Sequence, residues 1–195
     1  MTIYAIVNNI LSDSGPYTGK SPVWGLISAS GILQGGNPYF VPDFADRFEA
    51  RIALAIRIGK LGKGIAPRFI YRYVDAVAPS VLFVAPDMLK TLRNKGLPWT
   101  QAMSYDRCLS VGKFTPCAAD TWNQVEVKLT LDPPNDSSDA LLRGTEINPG
   151  IEETLSAISR DNTLKMGDII LIGLAGRGPQ VTPNMRAGLS LNGFE

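Results

Sequence analysis

The stretch that decides the fold runs from Ala66 to Trp99, APRFIYRYVDAVAPSVLFVAPDMLKTLRNKGLPW. Pro67 opens a short helix, the apolar run through Val77, Val81, Leu82, Phe83 and Val84 reads as a strand, and Pro86 opens a second helix. Proline suits the first helical position because the N–H it lacks would have no intrahelical partner there. The second helix places Met88, Leu89 and Leu92 on one side and ends in Lys90, Arg93 and Lys95 before Gly96. Cations favour the negative end of a helix, and glycine takes the left-handed conformation that stops it. The unit is helix, strand, helix, then a Gly-Leu-Pro-Trp turn.

Upstream, Arg51 to Ile58 alternates strictly. Ile52, Leu54, Ile56 and Ile58 fall on one face, and Arg51, Ala53, Ala55 and Arg57 on the other, the period-two signature of a strand. Ile3 to Val7 and Trp24 to Ile32 read as short strands separated by the loop SDSGPYTGKSP, and Val125 to Leu131 as a half-exposed strand. Asn148 is placed to cap a helix with Pro149 at its first position, Glu152 and Glu153 in its first turn, and Ile151, Leu155 and Ile158 on its buried face. DPPNDSSDALLRG, from Asp132, reads as a surface loop: a calcium loop would need Gly where Ser137 stands and Glu where Arg143 stands. Asp43, Asp46 and Glu49 read as a solvated acidic turn, because their spacing fits no metal loop. GLAGRG, from Gly173 to Gly178, reads as a turn, since neither a helix pattern nor a Lys-Ser/Thr pair follows it.

The 195 residues suit one domain with a full core, 1–195. Lys and Arg number 19 against 18 Asp and Glu, a formal net charge of +1, so no global field recruits nucleic acid or an anionic membrane surface. No window approaches the roughly 20 apolar residues of a membrane helix, and the N-terminus lacks the pattern of a signal peptide; the expected location is the cytoplasm. Cys108 and Cys117, the only cysteines, are then expected as two free thiols. Histidine is absent, which excludes His-based zinc sites and Ser-His-Asp triads, and leaves any catalysis to carboxylates, Lys, Tyr or Cys.

Two separated segments resemble one family. Ile56 to Trp99, with its IGK turn and GLPW turn, and TLKMGDIILIGLAGRGP, Thr163 to Pro179, are similar to the corresponding parts of the fumarylacetoacetate hydrolase family, the small bacterial oxo-acid hydrolase and isomerase type. The resemblance implies an α+β, mainly β fold: a mixed β-sheet roll of that family's C-terminal-domain type with a few short helices. It also implies a shortened N-terminal lid region, with Asn8 and Asn9 as the remnant of a turn. The family binds Mg²⁺ or Mn²⁺, cleaves or isomerises oxo-acids such as acylpyruvates, and is usually dimeric, so a homodimer is expected.

The frame matches while the chemistry departs. The family's Glu-x-Glu pair falls on Arg51 and Ala53, its metal-binding Asp on Leu82, its lysine on Met103 and its substrate-facing Thr on Ile172. The Arg and Gln that follow the Asp fall on Pro86 and Leu89. A divalent cation needs several hard oxygen ligands, so no metal and no cofactor are expected. The vestigial pocket is expected to be Arg51, Ala53, Leu82, Met103 and Ile172, closing over the old cavity, with no catalytic residue among them. The main expectation is a non-catalytic homologue kept as a structural, binding or regulatory subunit, paired with itself or with an active paralogue. The alternative is a divergent hydrolase or isomerase of small oxo-acids with relocated residues, its anionic ligand held by Arg51, Tyr105, Asp106 and Arg177.

Overall fold

The computed structural model describes residues 1–7, 21–34, 36–117, 119–132, 139–147 and 150–192. Its strands are β1 Ile3–Ile6, β2 Trp24–Ile27, β3 Ile32–Leu33, β4 Phe48–Ile58, β5 Val74–Val84, β6 Leu109–Val111, β7 Glu126–Asp132, β8 Asp139–Arg143, β9 Ile169–Ile172, β10 Gln180–Val181 and β11 Arg186–Asn192. The α-helices are α1 Pro86–Asn94 and α2 Ile151–Asp161. One mixed sheet has the order β2-β1-β9-β4-β5-β6-β3, with β10 also on β4; the other is β11-β7-β8. This is the α+β, mainly β roll that the resemblance implied.

β4 and β5 form the longest ladder, pairing antiparallel from Glu49↔Val84 to Ile58↔Val74. Both are buried along nearly their whole length, because each face of the large sheet is covered. On one face Ile52, Leu54, Ile56, Val81 and Phe83 pack with Val127 and Leu129 of β7 and with Leu155 and Ile158 of α2. On the other, Ala53, Ala55, Ala78 and Leu82 pack with Leu89 of α1, Met103 and Leu109. The strict alternation of Arg51 to Ile58 thus separates two cores instead of a core from solvent. Pro79, paired with Leu54, lacks a ladder donor but sits between the β5–β6 pairing, which begins at Ser80, and the lone Val77↔Thr115 bridge.

Local signals set the element ends. Pro67 opens a 3₁₀ helix, Pro67–Arg72, and Pro86 opens α1, which stops at Gly96 with φ +64°. Trp24 to Ile32 is not one strand: Ser28 accepts a hydrogen bond from Ser30 N and caps a 3₁₀ turn, Ala29–Gly31, that separates β2 from β3. α2 has Gly150 at its N-cap; Asn148 and Pro149, like Asn8 and Asn9, lie outside the described residues. Asp139–Arg143, read as loop from sequence, is a strand. It is held by the β7 ladder, with Glu126 opposite Arg143 and their side chains 3.2 Å apart.

Asp168 ties three strands together. Its buried carboxylate accepts from Thr2 N at 2.6 Å and Lys165 N at 2.8 Å, while its carbonyl accepts from Ile58 N at 2.9 Å. The start of β1 and the end of β4 are thereby fixed to the start of β9. Asp168→Ala strands two backbone donors and is expected to cost about 3 kcal/mol in urea unfolding. An unchanged midpoint would show that water replaces the carboxylate.

Candidate functional site

Residues two apart on a strand point to one face, so Glu49 and Arg51 of β4 lie side by side on the α1 side of the sheet. Arg51 Nε and Nη2 both donate to Glu49 Oε2, at 3.1 Å and 2.9 Å, and both side chains are nearly enclosed, 9% and 12% exposed. Two of the guanidinium N–H groups are thus used. The remainder, and Glu49 Oε1, make no hydrogen bond among the described residues. Burial pushes the guanidinium toward losing its proton; Glu49 opposes this, and the positive charges of Arg93 and Arg177 add to the push. Arg93 and Arg177 therefore lie close enough to Arg51 to repel it, while Glu49 alone pairs with it.

Arg51 lies in the wall of a small cleft of about 40 Å³, open to solvent, with Val7, Val84, Leu89, Met103 and Leu174 among its lining and Arg93 at its rim. The loop after β9 forms the opposite wall. It is stitched to β4 on either side of Arg51, because Ala175 N donates to Ile52 O at 3.0 Å and Ala50 N donates to Pro179 O at 2.9 Å. Gly178 makes this approach feasible: a Cβ there would sit on the Ala50 carbonyl. Arg177 is carried on this loop and is exposed.

The expected site residues separate into five places. Arg51 and Met103 line the cleft, and Arg177 stands beside it. Ala53 and Leu82 are fully buried in the core layer on the same face. Ile172 belongs to the opposite core, because its cross-strand partner is Leu54, which faces away from Ala53. Ala53, Leu82 and Met103 thus pack in one buried layer, Ile172 does not join them, and a small cleft persists beside Met103. Tyr105 is a structural clasp: its hydroxyl donates to Phe83 O at 3.0 Å and accepts from Tyr39, 2.8 Å away, whose ring stacks on Phe83 at 3.8 Å. Burial raises both phenols, Tyr39 to about 12, so neither ionises near neutral pH. Asp106 is exposed and outside the cleft lining.

Glu49, read from sequence as part of a solvated acidic turn, is instead buried on β4 as the acid that pairs with Arg51, and Arg93 was passed over as a site residue. The signals were present: Glu49 is two residues before Arg51, and Arg93 is one helical turn beyond Leu89, on the same face of α1. Among the described residues no three His, Cys, Asp or Glu side chains gather where they could hold a metal ion.

Residues 14–191 match the model of the fumarylacetoacetate (FAA) hydrolase C-terminal family. The chain belongs to this family. Mouse "oxaloacetate tautomerase FAHD1, mitochondrial" is 27% identical over 168 residues, covering 82% of this chain and 72% of the relative. Dictyostelium discoideum "oxaloacetate decarboxylase, mitochondrial" is 26% identical over 172 residues, covering 86% and 76%. Among solved structures, a fumarylacetoacetate hydrolase family protein of Yersinia pestis CO92 superposes with TM-score 0.85 at 21% identity over 99% of this chain and 89% of that one. Pseudomonas aeruginosa fumarylpyruvate hydrolase, crystallised with Mn²⁺ and pyruvate, gives 0.84 at 20% identity over 98% and 84%.

These names correct the main functional expectation. The fumarylacetoacetate hydrolase relatives are named as enzymes, a tautomerase, a decarboxylase and a hydrolase, and this finding overturns the non-catalytic reading in favour of its alternative. The physical error was to treat substituted ligands as an emptied site. The cleft remains, with a buried cation in its wall.

The pair yields a direct test. Arg51→Met leaves Glu49 buried without its cation and is expected to cost about 3–5 kcal/mol, whereas Arg51→Met with Glu49→Leu recovers most of that loss. Urea unfolding of the two single variants and the double variant measures the coupling; additive losses would mean that the pair is not a unit.

Proposed function

We propose that this chain is a metal-independent enzyme of small 2-oxo acids, acting by proton transfer at the carbon beside the oxo group. The observation that carries the proposal is the buried Arg51 guanidinium in the cleft wall with N–H groups unspent. Buried donors call for acceptors, and a carboxylate or developing enolate oxygen matches a guanidinium fork. The donor set does not fit a divalent cation. Glu49 is the one carboxylate at these strand positions, and its Oε2 is committed to Arg51.

In the proposed step, the substrate's carbon–hydrogen bond breaks and its proton passes to Glu49 Oε1. The electron pair moves onto the oxo oxygen, stabilised by Arg51. Transfer of that proton to the oxygen completes the keto to enol change without a co-reactant. The named tautomerases supply the reaction class.

The proposal includes a reducing, cytoplasmic setting, supported by two free cysteines; the relatives named above are mitochondrial. No helix among the described residues is long and apolar enough to cross a membrane. It also includes self-association as a homodimer, supported by exposed Leu26 on strand β2, exposed Phe40 and Phe69, and a formal net charge of only +1. Light scattering at micromolar concentration should return twice the chain mass; a monomer mass removes that part.

The reaction is tested by following keto–enol interconversion of oxaloacetate in the presence of a chelator. Turnover is expected to persist unchanged, and Glu49→Gln to lower kcat at least about 100-fold while the fold, read by circular dichroism, is retained. Loss of turnover on chelation, restored by Mg²⁺ or Mn²⁺, would sink the metal-independent reading.

A further inference from the structure

We infer that Arg93, seated on Trp99 at the cleft rim with Arg177 opposite, is a second anion subsite that selects doubly charged 2-oxo acids over singly charged ones. The inference rests on the functional reading above and adds to it a specificity-determining residue that nothing in the resemblance designates. The family's Arg and Gln positions on this segment are Pro86 and Leu89, neither of which has a side chain that can bind an anion. Arg93 lies four residues past Leu89, so both side chains look into the same cleft, and both line it.

Its placement is built. The Arg93 guanidinium lies over the Trp99 ring, 5.7 Å from the centroid. The ring itself is seated against Gly25 of β2, where a Cβ would come within 2.8 Å of the indole. Glycine at position 25 therefore lets the ring, and through it Arg93, settle at the rim. Among the described residues no acidic side chain pairs with Arg93 or Arg177, unlike Arg47, Arg57 and Arg143, which each have one.

Charge decides what fits. Arg51 and Arg93 line the cleft, Arg177 stands beside it, and the one acid paired among them is Glu49 on Arg51, so positive charge is in excess there. A short dianion neutralises this excess with one carboxylate at Arg51 and the other at the rim. A monoanion of the same length leaves the rim charge facing an alkyl group.

The experiment compares oxaloacetate with 2-oxobutanoate, two four-carbon 2-oxo acids that differ in one carboxylate, by steady-state kinetics at low salt. Succinate and butanoate, which lack the oxo group and cannot react, are titrated calorimetrically in parallel. Arg93→Ala is expected to raise KM for oxaloacetate up to about tenfold, with kcat and the 2-oxobutanoate KM within about twofold. Succinate affinity should fall by the same factor, butanoate affinity should stay, and Arg93→Lys should restore part of the difference. Wild-type protein that treats mono- and dianions alike, or an Arg93→Ala variant that weakens both equally, overturns the inference. If neither 2-oxo acid is turned over but Arg93→Ala still abolishes the preference for succinate, the subsite stands and the assigned reaction falls.

Discussion

β4 has almost no solvent face, and the remainder of the structure is arranged around that constraint. Its even-numbered side chains enter the core shared with β7 and α2; its odd-numbered ones enter the layer beneath α1. A strand enclosed on both sides admits a charge only if that charge is paired, which is why Arg51 and Glu49 occur together. The pair then fixes where chemistry can occur. It lies beyond the packed alanines of the strand, where the loop from Gly173 to Pro179 is bonded to β4 and leaves a cleft instead of a third layer.

Much of this architecture was legible in the sequence because local and global signals agreed. The alternation through Arg51 to Ile58, the prolines at positions 67 and 86, and the stop at Gly96 each correspond to an observed element or boundary. What escaped was set by partners far along the chain. β8 and β11 exist because β7 offers a ladder on both of its edges; DALLR alone is too short to display alternation. Ile172 could not be assigned a face from its own segment, since its orientation follows from pairing with Leu54.

The candidate site was legible only in part, for a related reason. Resemblance directs attention to the positions where a family keeps its chemistry, and here those positions hold Ala53, Leu82, Pro86, Leu89 and Met103. Arg51 was noticed because it replaces a ligand, and Arg177 because it lies within a matching turn. Glu49 and Arg93 lie beside those positions, two residues along a strand and four along a helix. These are the offsets that keep a side chain on the same face. Relocated groups are found by geometry, and a linear comparison passes over them.

Exchanging a divalent cation for a guanidinium also changes which reactions a cleft can favour. A bound metal lowers the proton affinity of its water and so supplies a nucleophile for hydrolysis. A guanidinium gives up no proton near neutral pH and cannot activate water in that way; it offers directed N–H groups and a delocalised charge. Those are suited to an oxyanion that forms and collapses in place. Held by Glu49 in a desolvated wall, the Arg51 fork need not reorganise when charge appears on a substrate oxygen, and that preorganisation is the source of electrostatic catalysis. A cleft organised in this way is suited to moving a proton between carbon and oxygen, and poorly suited to adding water across a carbon–carbon bond. On the proposed reading, Arg51 at a position where the family's metal-binding carboxylate falls narrows the chemistry toward tautomerisation, while the fold stays in place.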